Sequence, residues 1–483
     1  MIRFDARAER RSSEGARLRL QGGARLRRYR QYQDFYEGRH FERGRNGRSN
    51  LVLNYARAIV DKGVAYLLGR GVGFGVVPRR ESSVRDRRRA AEAEQLLYDV
   101  AWENDVEGVD LQVAQNAAVL GDGVYKVLWD PAAGRIRILS VDPRTFFATW
   151  AGDDASTLRR VEVLYSLGAE DLALGGYGLG PGEAEALCGA DGTAEVVERW
   201  TSAELEVTVA RTTTRRGANP YGFIPFVHVP NLPLANDPWG QSDLVDVIPI
   251  NREIDERVSD QADVIRFHAD PPVVFRGVND HADLAVGPGT VWDIPSDADV
   301  KLLEWQGQPV AVGEHIERLY RTLYEVSETP RTAFGDSGRL LSGVALETEL
   351  RPIVQRTLRK RAWWTRALRR RSALVLELAR LFGAGGAPAS LEAHRIRVLW
   401  PPMLPADDAS EVQNQVRLVG AGLRSHRSAM DALGTENPEE ELARVQADRT
   451  ALGETSSPTA ARREYRLRRH PLLRGEGSGL GGA

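Results

Sequence analysis

The chain has 483 residues, 42% of them hydrophobic and 27% charged. That is ordinary globular composition; it excludes wholesale disorder and suits about three domains of ~150 residues, or one large core with long insertions. Lys and Arg number 65 against 67 Asp and Glu, so a uniformly basic nucleic-acid binder is excluded, and the one cysteine, Cys188, excludes an internal disulfide framework or a Cys-rich metal centre.

Residues 1–48 carry 14 Arg and 6 acids. Residues 1–20 have no apolar core of the kind a signal peptide needs, and a solvated, partly frayed helix is expected there. Tyr29, Tyr32, Phe35 and Tyr36 recur at helical spacing. Residues 51–68 place Val52, Tyr55, Ile59, Ala65 and Tyr66 in a buried helix ended by Gly69. The glycine run that follows misses the dinucleotide-binding spacing because position 76 is Val76, so a turn leading into a strand is expected. Residues 88–120 read as one helix. Strands are expected at Val124–Trp129, Arg135–Ser140, Phe146–Trp150, Ala194–Trp200 and Leu205–Ala210, as antiparallel hairpins. Gly168–Gly192 holds eight glycines without a period and reads as a flexible loop or insertion. Residues 1–235 are thus an α+β region. The longest charge-free stretch, Gly217–Asn236, contains four prolines and cannot be a membrane-spanning helix, so a soluble intracellular protein is expected.

The pattern then changes. Ser242–His268 carries one apolar stripe (Leu244, Ile248, Ile254, Val258, Ala262, Ile265), with Pro249 near a helix start and Pro271-Pro272 as a stop. Short strands follow at Val273–Arg276, Thr290–Ile294 and Val300–Trp305, and a second helix at about 312–326 ends before Pro330. After a short Gly/Ser segment, a long helix runs over about 343–382, with Ser342 as its N-cap and a kink at Pro352. Its part from Arg351 to Leu376 holds nine Arg or Lys and no acid. A strand at Ile396–Trp400 precedes short helices, one starting at Asn437-Pro438-Glu439-Glu440, and disorder is expected beyond Gly453.

No zinc-protease, CxxC, nucleophile-elbow or phosphate-loop motif occurs. No catalytic, cofactor-binding or metal-ligating residue is assigned, and no cofactor is expected. What stands out is the order of elements: two striped helices around a small strand-rich piece, then a loop and a long helix. The small piece cannot bury both stripes. Either copies of the chain pack laterally, as in a ring, or the rest of this chain covers an ordinary helical hairpin.

Several segments carry a family resemblance: Phe35-Tyr36-Glu37-Gly38-Arg39-His40; Asn54-Tyr55 with Ile59-Val60-Asp61 and Tyr66-Leu67-Leu68-Gly69; Ile224-Pro225-Phe226-Val227-His228; Gly240-Gln241-Ser242-Asp243-Leu244; Glu328-Thr329-Pro330 with Ser342-Gly343-Val344-Ala345-Leu346; Trp400-Pro401-Pro402; and Gly434-Thr435-Glu436-Asn437-Pro438-Glu439-Glu440-Glu441-Leu442. In order and spacing, from about residue 25 to about 450, the chain resembles the portal proteins of tailed bacteriophages, of the type typified by a Bacillus siphophage. The glycine-rich stretch 168–192 and the basic tail depart from that pattern.

The resemblance implies a dodecameric ring at one capsid vertex, passing double-stranded DNA without sequence preference during packaging and ejection. Its implied partners are the terminase large subunit, head–tail adaptors, and scaffolding and major capsid proteins, with no membrane. It divides the chain into a basic flexible N-terminus (1–24), an α+β wing (25–241), a stem helix (242–268), a clip (269–308), a second stem helix (309–327), a tunnel loop (328–344), a long kinked helix and wing return (345–400), a helical crown (401–455) and a disordered basic, glycine-rich tail (456–483).

On that frame Glu253, Asp255, Glu256, Asp260 and Asp263 are expected to line the channel. Five acids against three Arg make residues 250–268 −2, and twelve copies would present about −24 to the phosphates, a repelling sleeve. The tunnel loop then supplies the close DNA contacts, from Arg331, Thr332, Asp336, Ser337, Arg339 and Ser342, with Arg331 and Arg339 as phosphate partners or, alternatively, paired with Asp336 or a neighbour's Glu. The basic cluster Arg351, Arg356, Arg359, Lys360 and Arg361 faces DNA, a neighbouring subunit or scaffold. Competing readings are a nuclease or packaging ATPase, to be told apart by metal-dependent cleavage or ATP hydrolysis, and a monomeric scaffold or adaptor, told apart by mass.

Overall fold

The computed structural model describes residues 14–41, 50–269, 273–276, 299–302, 309–336, 343–383, 395–404, 408–435 and 438–451. They belong to two units, Met1–Met403 and Leu404–Ala483.

In the first unit, α1 (Glu14–Gln21) and α2 (Gly23–Tyr36) open the chain, and Tyr29, Tyr32, Phe35 and Tyr36 are all buried, as their spacing requires. Helix α3 (Tyr55–Leu68) is capped by Asn54, whose side chain accepts from the Arg57 amide at 2.9 Å, and it ends at Gly69. The glycine run becomes strand β1 (Gly73–Val77).

Residues 88–120 are two helices rather than one, α4 (Val84–Glu103) and α5 (Val106–Leu120). The break is a side-chain competition. Asn104 donates to the carbonyls of Val100 (2.8 Å) and Ile136 (2.9 Å) and accepts from the Ile138 amide (2.9 Å), and Asp105 turns through φ 47°. The apolar period continues across the break, so the sequence pattern does not show it.

Strands β2 (Asp122–Asp130), β3 (Arg135–Ser140), β4 (Phe146–Ala151) and β5 (Asp154–Gly168) follow. The stretch expected to be a flexible loop is structured: β5 runs through Gly168, and α6 (Ala169–Leu174) and α7 (Pro181–Leu187) form a helical hairpin. Leu172 and Ala184 anchor it with no exposure, and the Tyr165 and Tyr177 hydroxyls are 2.9 Å apart. Gly176 and Gly178 adopt positive φ between the helices, so the glycines serve a turn. Strands β6 (Thr193–Trp200), β7 (Glu204–Val209), β8 (Thr212–Ala218) and β9 (Phe226–Pro230) complete two antiparallel sheets, ordered β3-β2-β9 and β4-β5-β6-β7-β8. Strand β8 shows no apolar alternation because it is a solvent-facing edge.

Helix α8 (Val247–Ala269) takes Pro249 in its first turn, where the missing N–H has no intrahelical partner in any case. Strands β10 (Val273–Arg276) and β11 (Asp299–Leu302) pair antiparallel; the strand expected at 290–294 lies outside the described residues. Helix α9 (Pro309–Val326) packs along α8. A 3₁₀ turn at Arg331–Phe334 leads to α10 (Gly343–Phe382), about 60 Å long at 1.5 Å per residue, which continues through Pro352. Strand β12 (Arg395–Leu399) returns to pair with β1 in the register Gly73↔Leu399, across more than three hundred residues.

Helix α10 packs over β2 and β9, with Trp364 and Leu368 buried among Tyr125, Val127 and Val229. A second core joins α2, α3, α5, α8 and α9 through Phe35, Ile59, Ile254 and Leu323. In the second unit, α11 (Asp408–Gly420), α12 (His426–Ala432) and α13 (Pro438–Ala451) follow, with Ser425 capping α12 by accepting from the Ser428 amide at 3.1 Å. The fold is α+β, as expected. The caps expected at Ser342 and Asn437, and the tail beyond 451, lie outside the described residues.

Arg371 departs from its basic surroundings: its side chain is 2% exposed, ion-paired with Asp110 and 4.9 Å from the Tyr125 ring. Arg371→Ala leaves Asp110 buried without a countercharge and is expected to destabilise the first unit by about 3–5 kcal/mol. Exposed Arg369→Ala is the control, expected within about 0.5 kcal/mol of the parent in a thermal or denaturant melt.

Candidate functional site

The lead into α8 crosses the end of α5 at backbone distance. A Cβ on Gly121 would lie 2.8 Å from the Gly240 carbonyl oxygen, and one on Gly240 would collide with the Gly121 carbonyl and the Asn231 amide. Glycine at both positions lets the two segments touch. The Asp243 amide donates to the Ala118 carbonyl at 2.8 Å, and the Ser242 hydroxyl donates to the Val119 carbonyl.

Two buried carboxylates tie this crossing to the rest of the unit. Asp122 accepts from the Gly240 amide (2.9 Å), from His228 Nε2 (2.7 Å) and from the Tyr29 hydroxyl. Asp243 pairs with Arg356 at 3.0 Å and with Lys360, and accepts from Asn231 Nδ2 at 2.8 Å. Burial pushes the Asp243 carboxyl up, but Arg356 and Lys360 outweigh it and hold the group below the usual carboxylate range.

Of the five acids expected to line a channel, Asp255 is misassigned. Its side chain is fully buried, paired with His40 Nδ1 and accepting from the Leu53 amide at 2.8 Å. It fixes the segment leading into α3 against α8. Glu253, Glu256, Asp260 and Asp263 remain partly exposed. Arg257 bridges Glu253 (2.6 Å) and Asp260 (3.1 Å), and Arg266 lies 3.6 Å from Asp263.

The basic cluster is likewise divided. Arg356 and Lys360 belong to the Asp243 centre. Arg361 is buried, donating to the Pro401 carbonyl at 3.0 Å with its guanidinium 4.8 Å from the Trp400 ring centre. These three are therefore unavailable to DNA or to another subunit. Arg351 and Arg359 are exposed, and Arg359 pairs with Glu328. Helical spacing alone does not separate the two groups, because the helix lies on the core along a wide face.

Arg331 starts the 3₁₀ turn and sits 3.1 Å from Glu317 on α9 and 3.7 Å from Asp336. Of the two pairings considered for it, the one with Asp336 is present within the chain. The Thr332 hydroxyl is buried without a partner among the described residues. Ser337, Arg339 and Ser342 lie outside them.

A groove of about 1010 Å³ opens between the β4–β5 turn, residues 222–238 and α10, with Trp150, His228, Trp363 and Arg366 among its walls. Among the described residues no group of three or more His, Cys, Asp or Glu is placed to hold a metal ion, and no helix is long and apolar enough to cross a membrane. The structural centres at Asp122, Asp243 and Asp255 were missed from sequence. The one available signal was a charged residue, Asp243 or Asp255, at or beside an apolar stripe.

A family model described as phage portal protein, SPP1 Gp6-like, matches residues 21–172 and 191–453. No curated protein matches the chain.

Because Asp243 is held below its unfolded-chain value, its contribution is fully present above about pH 4 and is lost as pH falls through the folded value. Asp243→Asn leaves Lys360 buried without its countercharge. It is expected to lose about 3–5 kcal/mol at neutral pH and to show a shallower loss of stability on acidification than the parent, read by denaturant melts from pH 7 to pH 3.

Proposed function

The chain belongs to the SPP1 Gp6-like phage portal proteins, and on that premise we propose that it assembles into a ring, of twelve subunits in the capsid, around a channel for double-stranded DNA. The observation that carries this is the match over most of the chain, joined to the packed α8–α9 pair with the β10–β11 strand pair between its helices in sequence. The ring sits at one capsid vertex after assembly in the host cytoplasm. It receives the terminase large subunit during packaging and head–tail adaptors afterwards, and assembles with scaffolding and major capsid protein. The role is structural, without catalysis.

In this reading α8 and α9 are the stem, 269–308 the clip, 328–344 the tunnel loop, α10 with β12 the link back to the wing, and 401–455 the crown. The stem wall is less acidic than composition suggests. With Asp255 inside the protomer, four partly exposed acids face three Arg over residues 250–268, and twelve copies carry about −12 in place of about −24. Two of those Arg pair with acids of the same helix, so the wall offers phosphates few free cations. Such a surface suits a conduit, because each phosphate neutralised by a bound cation adds to non-specific affinity and to friction. Close contact falls to the tunnel loop, where Arg331 and Arg339 meet the phosphates and Arg331 exchanges its Glu317 and Asp336 partners for them.

Light scattering and negative-stain images of the purified chain test the ring: about a dozen subunits around a hole wide enough for a duplex is expected, and a compact monomer that does not assemble even with scaffolding protein overturns it. Arg331→Ala with Arg339→Ala is expected to leave rings intact and to reduce packaged DNA; wild-type packaging by that variant removes the phosphate-contact role.

A further inference from the structure

The family match breaks over residues 173–190, which hold α7 and the end of α6 in the helical hairpin α6–α7. It is a folded element with one sign of charge. Residues 168–192 contain five acids and no Lys or Arg. Glu170, Asp171, Glu183 and Glu185 are exposed and have no ion-pair partner among the described residues, and Leu174 beside them is 79% exposed. Leu172 and Ala184, both fully buried, hold the hairpin on the sheet, so its charges are presented from a fixed base.

The opposite charge stands on α10. Arg366, Arg369 and Arg370 are exposed at i, i+3 and i+4, next to Trp363 at 37% exposure, and none has an ion-pair partner among the described residues. Asp153, Asp154 and Asp237 line the groove beside Arg366 and Arg370; Arg366 acts electrostatically on Asp154, whose oxygens are already engaged by the Ser156 amide and the Thr157 hydroxyl.

Strand β5 separates the two surfaces. Asp154 at its start lies beside Arg366, while Gly168 at its end leads into the hairpin. Among the described residues no ion pair joins the hairpin acids to Arg366, Arg369 or Arg370 within the protomer, and the two surfaces are distinct. Two distinct complementary surfaces on one subunit are the requirement for a head-to-tail contact that repeats around a ring.

We infer that the acidic α6–α7 hairpin of one subunit docks on the Arg366–Arg369–Arg370 face of α10 in its neighbour. The occupant of the α10 face is therefore a second copy of this chain, and the hairpin, whose second helix lies where the family model has no counterpart, adds a clamp between subunits. This rests on the ring reading above and names one of its contacts.

Cys188, at the end of α7 and partly exposed, makes the contact testable, since it is the chain's one cysteine. The mass of the wild-type assembly is read first. Then R370C, treated with a short bismaleimide, is expected to give a ladder of dimer, trimer and higher species, because each subunit offers a thiol on each of the two surfaces. Wild type and C188S/R370C give no ladder. R366E/R369E/R370E is expected to raise the protomer concentration needed for rings about tenfold, and adding E170K/D171K/E183K/E185K to it is expected to restore assembly. Rings without a ladder, unaffected by the charge reversals, overturn the inference and leave the ring reading standing. Intact rings that lose DNA packaging on reversal of the arginines assign the face to duplex DNA and also overturn it. A wild-type chain without rings overturns both.

Discussion

Asp243 is out of water, between Arg356 and Lys360 of α10 and the Asn231 amide. A carboxylate in that position is tolerable only with its cations in place, since burying one charge without the other costs several kcal/mol. The pair of cations at i and i+4 sets the rotation of α10 about its axis, and the backbone contacts of Ser242 and Asp243 with α5 set where α8 begins. The two longest helices among the described residues are thereby referenced to one buried point. Asp122, held by His228, Tyr29 and the Gly240 amide, repeats the arrangement one step upstream.

This constraint decides which charges are left for function. Turning Arg356 and Lys360 inward turns Arg366 and Arg369 outward, so one basic helix contributes both a structural centre and a surface. On α8, Asp255 is withdrawn to hold His40 and the Leu53 amide, while its neighbours remain at the surface. The proposed conduit for a polyanion calls for few free cations on its wall. Burying Arg356 and Lys360 against Asp243 removes two cations of the subunit from reach.

Much of the fold was legible. The helices expected at 51–68, about 312–326 and 343–382 follow apolar periods; the first starts only at Tyr55, leaving Val52 outside it and exposed, and the second already at Pro309, while the expected hairpin strands sit between turn residues. The failures have physical causes. The break at Asn104 is made by a side chain that bonds to β3, a partner distant in sequence. The hairpin at 169–187 has too few apolar anchors, Leu172 and Ala184, to show a period among its glycines. Of the site, the positions of the acids and arginines were legible, but their exposure was not. Asp255 and Lys360 have the same local pattern as neighbours that face solvent.

By itself the sequence determined the α+β class, the order of a helix, a strand-rich piece, a second helix and a long helix after residue 242, and the motif series that places the chain among phage portal proteins. These are local or sequential properties, carried by spacing and residue type. The tertiary structure alone decided which carboxylates are buried, which arginines are spent on them, that β1 is closed by β12, and that an acidic hairpin and a basic helix face stand at opposite ends of one strand. The reason is that charge in a protein acts through burial and distance, and both are set by residues that meet only after the chain has folded.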